Sequence, residues 1–105
     1  MTISYDTTTE LFDDHITHYN ATDKTGIEYT IKTVSSPVKG MATVQTAKEN
    51  ACAIDYLYRY FEYDTDFELY LDEIETENGT EYFLDITSYG NVGDEMLILQ
   101  KLKEW

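Results

Sequence analysis

The chain has 105 residues, and its 21 Asp and Glu against 7 Lys and Arg give a formal net charge of −14. That length is typical of one domain, and a hydrophobic share of 42% argues against a disordered chain. Because association with a polyanion would begin with repulsion, the charge disfavours direct binding to nucleic acid or to an anionic membrane and predicts a basic partner.

The N-terminal part of the chain is predicted to form a helix and then a strand. Threonines at positions 7–9 offer N-caps for a helix over residues 9–20, with Leu11 or Phe12, Ile16 and Tyr19 on its inner face. The alternation of apolar and polar residues in "GIEYTIKTV" predicts a strand over residues 26–34.

A second helix is predicted after a loop marked by Pro37 and Gly40. Apolar residues recur at steps of three and four from Val44 to Phe61. This spacing predicts a helix over residues 43–61 with one buried stripe.

Strands are predicted for the C-terminal part. Residues 67–74 and 80–87 alternate with a period of two, and Asn78-Gly79 between them is the strongest short signal for a type I′ hairpin turn. Residues 95–102 are predicted to form a last strand, after a turn between Gly90 and Gly93.

Together these elements predict a single α+β domain over residues 1–105, with an antiparallel sheet of about four strands and two helices packed on one face. The one cysteine, Cys52, has no partner for an internal disulfide. The sequence has no apolar run of membrane-spanning length, and its N-terminus lacks the regions of a signal peptide. We therefore expect a cytoplasmic protein.

The acidic residues are concentrated in the predicted hairpin. Residues 62–86 hold ten carboxylates and no Lys, Arg or His. A turn centred on Asn78-Gly79 pairs residues whose numbers sum to 157, so that Asp72 would face Asp85 on the side away from the core. Like charges directly opposite cost roughly 0.2 to 1 kcal/mol per pair. The predicted result is a strongly negative plate, whose candidate partner-binding residues are Glu62, Tyr63, Asp64, Asp66, Glu68, Tyr70, Asp72, Glu73, Glu75, Glu77, Glu81 and Asp85.

Two interpretations of this plate are open. A charge run is usually a solvated face that keeps a protein soluble. Alternatively, carboxylates two apart on a strand, about 6.6 Å from each other, present a regular row of negative charge like a nucleic-acid backbone. An arginine-lined groove would bind such a row through bidentate hydrogen bonds. The absence of bases between Arg59 and Lys101, together with the nearby tyrosines Tyr56, Tyr60 and Tyr63, favours a binding surface.

The run "YDTDFELYLDEIETENGTEYFLDI", followed by "EMLILQKLKEW", resembles the C-terminal half of phage-encoded type II anti-CRISPR proteins. These are small, acidic, tyrosine-rich proteins of mixed α/β fold, and some mimic DNA. The resemblance covers residues 60–105. It implies an inhibitor without cofactor that acts in the host cytoplasm and occupies the basic groove where a CRISPR nuclease reads its short duplex motif.

The resemblance also implies roles for single residues. Carboxylates of the acidic run would contact the groove, and Tyr63 and Tyr70 would stack on guanidinium groups. The carboxylates concerned are Asp64, Asp66, Glu68, Asp72, Glu73, Glu75 and Asp85. Phage antirestriction proteins, which use similar mimicry against restriction enzymes, are the alternative.

Metal binding and catalysis have weaker support in the sequence. Residues 64–75 place oxygen ligands at EF-hand-like positions, but Leu69 occupies the position that needs glycine. His15 and His18 would lie one turn apart on the first predicted helix, yet a tetrahedral site needs further ligands. We expect neither a metal site nor an enzyme. An acidic metal-binding module, or an adaptor for another basic host protein, stays open as an alternative function.

Overall fold

The structure, a computed structural model, describes residues 1–36, 39–46, 51–89 and 93–105. It is an α+β fold, as predicted, but its sheet has six strands in place of about four. The elements in chain order are β1 (Thr2–Leu11), β2 (Asp14–Thr22), β3 (Glu28–Ser35), β4 (Lys39–Thr46), α1 (Cys52–Phe61), β5 (Phe67–Thr76), β6 (Gly79–Tyr89) and α2 (Asp94–Glu104).

All neighbouring strands are antiparallel, and their order across the sheet is β1-β2-β3-β4-β6-β5. Because β6 inserts between β4 and β5, the acidic strand β5 lies at one edge of the sheet and β1 at the other. Neither helix in the described ranges is long and apolar enough to cross a membrane.

One face of the sheet carries the core. Ile31 pairs with Val44, and Val44 pairs with Leu84, so these three buried side chains form a row across β3, β4 and β6. Buried residues of both helices, such as Leu57 of α1 and Ile98 of α2, belong to the same apolar cluster. Both helices therefore pack on this face, which we call the helix-covered face. The opposite face, which we call the open face, carries the alternate side chains of each strand, including His18, Lys32, Thr43, Gln45, Glu68, Tyr70, Asp72, Glu81, Phe83 and Asp85.

The predicted helix over residues 9–20 is wrong. Those residues lie in the β1–β2 hairpin, in which Leu11 pairs with Asp14 and residues 12–13 form the turn. The β-branched threonines of β1, assigned as helix caps from the sequence, instead suit a strand. β1 is exposed along most of its length and β2 is partly buried along most of its length, so neither strand shows the alternation of apolar residues that would have revealed it.

The second predicted helix is too long. Residues 43–46 belong to β4, as does Gly40 of the predicted loop, and the helix α1 begins at Cys52. Val44 is predicted to belong to the buried stripe of the helix. In the structure it lies on β4, where Ala42, Val44 and Thr46 alternate with other residues and point to the helix-covered face. Pro37 and residues 47–50 lie outside the described residues. The predicted strands over residues 26–34, 67–74 and 80–87 correspond to β3, β5 and β6.

The predicted last strand is also wrong, because residues 95–102 lie in α2. The segment is rich in strong helix formers such as Met, Leu, Gln and Lys. Ile98, Leu99 and Leu102 are buried at helical spacing. Residues 90–92 of the predicted turn lie outside the described ranges, and Gly93 is the N-cap of α2.

The start of α2 is fixed against β4 at Gly40. A Cβ on Gly40 would lie 2.9 Å from both the backbone nitrogen and Oε2 of Glu95, so a larger residue would force the helix away. Oε2 of Glu95 accepts a hydrogen bond from the Gly93 amide at 3.1 Å, and the Ser88 hydroxyl donates to the Asp94 carboxylate. These contacts link α2 to β4 and β6, and β6 is the strand that pairs with β5.

A buried carboxylate, Asp23, closes the turn between β2 and β3. Its Oδ1 accepts hydrogen bonds from the Thr25 amide at 2.8 Å, the Thr25 hydroxyl at 2.6 Å and the Ile27 amide at 3.0 Å. Its Oδ2 accepts from the Tyr29 hydroxyl at 2.9 Å. Burial by itself would raise the pKa of Asp23, but the hydrogen bonds from Thr25, Tyr29 and Ile27 outweigh it, so that the pKa lies below its ordinary value.

Asp23→Asn tests this turn. The amide offers one acceptor in place of two, so a buried donor loses its partner and the free energy of unfolding should fall by about 1 to 3 kcal/mol at neutral pH. Because the folded pKa of Asp23 is lowered, its contribution is present above the ordinary value of 3.8 and is lost as the pH falls through the folded pKa. Urea unfolding followed by circular dichroism between about pH 2.5 and pH 7 should therefore show a shallower acid loss in the variant.

Asp13→Asn is the matched control, because Asp13 lies exposed in the β1–β2 turn. It should change the free energy of unfolding by less than about 0.5 kcal/mol. Equal stability of Asp23→Asn and the unmodified protein at neutral pH would contradict the assignment.

Candidate functional site

The acidic residues singled out from the sequence lie in and around β5, the edge strand. Among the described strands β5 pairs with β6 alone, so the backbone N–H and C=O groups on its outer side have no strand partner. The connection of residues 62–66 precedes β5, and the turn into β6 follows it. We call this strand with its two flanks, residues 62–77, the acidic edge.

The register of the hairpin differs from the prediction by two residues. Thr76 pairs with Gly79, so that facing residues have numbers that sum to 155 and the turn is centred on Glu77-Asn78. Gly79 alone in this turn has a positive φ, of 118°, which excludes the predicted type I′ geometry. The Thr76 hydroxyl stabilises the observed turn, because it accepts from the Asn78 amide at 3.2 Å and donates to the Gly79 carbonyl at 2.8 Å.

This register removes the predicted Asp72–Asp85 pair. Asp72 faces Phe83, and Asp85 faces Tyr70. Each carboxylate therefore has an aromatic ring directly opposite it in place of a like charge, which lowers the expected repulsion. On the other side of the hairpin Leu69 pairs with Ile86 and Leu71 with Leu84.

The twelve candidate residues do not share one plane, so the prediction of a single plate is wrong. Alternation along the strands places Glu68, Tyr70, Asp72, Glu81 and Asp85 on the open face, and Glu73 and Glu75 on the other side of β5. Glu77 lies in the turn, and Glu62, Tyr63, Asp64 and Asp66 lie in the connection before β5. Ten of the twelve lie along the acidic edge, which carries negative charge on both sides and at both ends, whereas Glu81 and Asp85 lie on β6.

The edge is more accessible than the centre of the open face. Asp72, Glu81 and Asp85 are half-buried, and the Thr43 hydroxyl donates a hydrogen bond to Asp85. The other carboxylates of the acidic edge are exposed, namely Glu62, Asp64, Asp66, Glu68, Glu73, Glu75 and Glu77.

The centre of the open face has mixed charge. Lys32 pairs with Thr43, and Thr43 pairs with Asp85, so the lysine lies two strand spacings, roughly 10 Å, from that carboxylate. A shallow hollow of about 250 Å³ there is lined by both acidic and basic groups, among them Asp6, His18 and Lys32. The uniformly negative part of the molecule is therefore the β5 edge.

No contact within the described residues neutralises the acidic edge. The ion pairs among the described residues are Glu10–His15 at 3.4 Å, Asp55–Arg59 at 2.9 Å and Lys101–Glu104 at 3.3 Å. None of them includes a carboxylate of the acidic edge. In the part of the chain that the structure describes, the repulsion among these carboxylates is therefore not offset by an ion pair.

Large apolar and aromatic side chains lie between these carboxylates. Tyr70 is 58% exposed, Leu71 42% and Ile74 47%, and Tyr63 in the preceding connection is 89% exposed. Charge alone protects a strand edge from aggregation and needs no such side chains. Exposed tyrosines and aliphatic groups among charges are instead typical of surfaces that bind another protein. This combination favours a binding surface over a solubilising one.

The histidines do not form the paired site considered for a helix. His15 and His18 are three residues apart on β2, so their side chains lie on opposite faces of the sheet. In the part of the chain that the structure describes, no group of three or more His, Cys, Asp or Glu side chains is arranged to hold a metal ion.

Phe12 is exposed, although the sequence predicted a buried position for it. Phe12, predicted as a possible inner-face residue of the first helix, lies in the β1–β2 turn and is 97% exposed. Its φ of 56° is a conformation that favours glycine or asparagine, so the sequence carries no turn signal at this position.

The chain matches no family model, no curated protein and no solved structure. Its candidate site is accordingly argued from the geometry of the chain's own residues.

If no group offsets the repulsion among the carboxylates of the acidic edge, replacing some of these carboxylates by neutral side chains should stabilise the fold. Replacing Glu68 and Glu75 together by Gln should raise the free energy of unfolding by about 0.3 to 1 kcal/mol at low ionic strength, because repulsion along β5 falls. At about 1 M NaCl the difference should largely vanish, since the Debye length is then roughly 3 Å. Urea unfolding at the two salt concentrations measures both values.

Glu10→Gln serves as the control, since Glu10 is exposed but lies beside His15. It should not reproduce the stabilisation. A double variant that is less stable than the unmodified protein at low salt would show that the edge carboxylates are compensated within the fold.

Proposed function

We propose that this protein is a non-enzymatic, DNA-mimicking inhibitor that inserts its acidic edge into the basic groove of a nucleic-acid-binding protein. The observation that carries the proposal is the row of unpaired, exposed carboxylates on β5, interrupted by exposed Tyr70, Leu71 and Ile74. The resemblance of residues 60–105 to type II anti-CRISPR proteins makes a CRISPR nuclease the proposed target. Such an inhibitor would act in the cytoplasm of the phage-infected cell.

The charge density of the edge supports mimicry of a nucleic-acid strand. From Asp66 to Glu77 the chain carries six carboxylates, and Glu81 and Asp85 of the paired strand bring the number to eight. At roughly 3.4 Å per residue this is about one negative charge per 5 Å. One strand of duplex DNA carries a charge about every 3.4 Å along its axis. The acidic edge therefore reaches more than half the density of a DNA strand.

The distribution of acids around β5 suggests how the partner is contacted. Glu68 lies on one side of the strand and Glu73 and Glu75 on the other, so a flat partner surface could touch only one set. A groove with basic walls would contact both sets at once when the strand enters it edge-on. This arrangement favours a cleft over a flat surface as the partner.

Inhibition in this proposal needs no bond to be made or broken. Arginines that normally bind phosphates or guanine would instead donate bidentate hydrogen bonds to the carboxylates. Tyr63 and Tyr70 would stack on guanidinium planes. Because β5 is already held in the sheet, little conformational entropy is lost on binding. DNA is then excluded by occupancy of its site.

The proposal is tested with purified, guide-loaded type II CRISPR nucleases and fluorescent target DNA. Titration with the protein should abolish DNA binding at about one equivalent, and the inhibition should weaken steeply with salt because the contacts are ionic. Replacing Glu73 and Glu75 together by Lys should weaken inhibition at least tenfold, equivalent to about 1.4 kcal/mol.

A second double variant is the control for the effect of net charge. Asp6→Lys with Glu28→Lys changes the net charge by the same amount at exposed positions away from β5, and it should inhibit like the unmodified protein. An equal loss of inhibition in both double variants would show that net charge alone causes the effect, and it would contradict a specific contact by the acidic edge. Inhibition of a restriction enzyme, without inhibition of any nuclease tested, would instead assign the antirestriction function.

A further inference from the structure

The tip of the β1–β2 hairpin combines an unfavourable backbone with an exposed aromatic ring. Phe12 has a φ of 56° and is 97% exposed, and the adjacent Leu11 is 54% exposed. Among the described non-glycine residues, Phe12 alone has a positive φ. The ring contacts found within the described residues join other aromatic side chains and do not include Phe12.

Both features disfavour phenylalanine at this position in the isolated protein. A residue with a Cβ is strained in the left-handed region, and Gly, Asn or Asp adopts it more readily. The fully exposed ring also gains nothing from burial. Strained residues that the fold itself does not need are characteristic of functional sites. The side chain is therefore expected to contribute in a bound state.

We propose that Phe12 is an anchor that inserts into an apolar pocket, rimmed by Lys or Arg, on the protein that the acidic edge binds. The character of the rim follows from the residues beside the ring, because the tip carries Glu10, Asp13 and Asp14 around Leu11 and Phe12. An apolar pair surrounded by three carboxylates complements an apolar pocket with a basic border. The inference rests on the proposed function, since it assigns the pocket to the same partner.

The strand register allows one partner to reach both surfaces. The tip and the start of β5 lie at the same end of the sheet, because successive pairings connect Glu10, His15, Ser35, Gly40, Ser88 and Phe67. Four to five strand spacings separate them, which is roughly 20 to 25 Å. A standard interface of about 800 Å² per partner is roughly 30 Å across. One contact can therefore include the anchor and the start of the acidic edge.

A second copy of this chain is a poorer partner for the tip. A partly apolar concave site lies between α1 and the β5–β6 hairpin, and its lining includes Ile54, Leu71 and Tyr82. Asp55 and Glu73 line the same site, so they would repel the acidic tip. Charge thus argues for a basic partner and against self-association.

Phe12→Gly separates the two roles of this residue. Relief of the backbone strain should raise the melting temperature by about 4 to 8 °C, whereas loss of the ring should weaken binding to the guide-loaded nuclease at least tenfold. Phe12→Leu keeps an apolar side chain and the strain, so it should retain more of the affinity and none of the added stability. Fluorescence anisotropy and thermal unfolding measure the two quantities for each variant.

Each outcome decides between the proposals. Binding by Phe12→Gly as tight as that of the unmodified protein overturns the anchor and leaves the acidic edge standing. Loss of binding in Phe12→Gly, with full binding by the Glu73→Lys, Glu75→Lys variant, keeps the anchor and overturns the edge. If the unmodified protein binds no nuclease, both the anchor and the acidic-edge proposals are wrong. The anchor is also overturned if sedimentation shows that the unmodified protein is a dimer and that Phe12→Gly dissociates it. A lower melting temperature of Phe12→Gly than of the unmodified protein overturns it as well.

Discussion

The burial of a single face of the sheet by two helices determines where every other feature lies. The core is centred on β3, β4 and β6, where Ile31, Val44 and Leu84 form the row against α1 and α2. The strands at the two edges, β1 and β5, lie outside that centre, and the open face has no helix over it in the described ranges. Charges on β5 can therefore stay hydrated, so the fold tolerates acids there that a central strand could not hold.

The same architecture explains why the acidic edge and the hairpin tip are available for binding. Both cost stability in the isolated protein, the first through repulsion and the second through backbone strain. The carboxylates of the edge and Phe12 lie outside the core, although Phe67 and Leu69 of β5 pack against it. A domain with a large buried cluster can retain such unfavourable features at its periphery. The proposed inhibitor would thus separate its roles, with stability supplied by β3, β4, β6 and the helices, and binding supplied by β5 and the tip.

The sequence predicted the strongly patterned parts of this fold and failed where pattern is weak. Alternation identified β3 and the β5–β6 hairpin, because apolar residues occupy every second position in much of each strand. β1 is mostly exposed, β2 is partly buried without alternation, and the turn between them at Phe12-Asp13 has no glycine or asparagine, so spacing suggested a helix. "EMLILQKL" is apolar enough to suit either element, and burial against β4 and β3 decided for a helix. The carboxylates of the candidate site lie in and around β5, but a turn displaced by one position from the predicted one changes which residues they face.

The central claim is that β5 enters a partner's groove by its outer edge, and hydrogen–deuterium exchange tests it most directly. Backbone amides of residues 67–76 that point away from β6 have no strand partner in the free protein and should exchange rapidly. In the complex with the guide-loaded nuclease, the account predicts slower exchange in residues 62–76 and at the tip around Phe12, with little change in β3 and β4. Protection confined to the open face of β2, β3 and β4, with β5 exchanging as in the free protein, would contradict it.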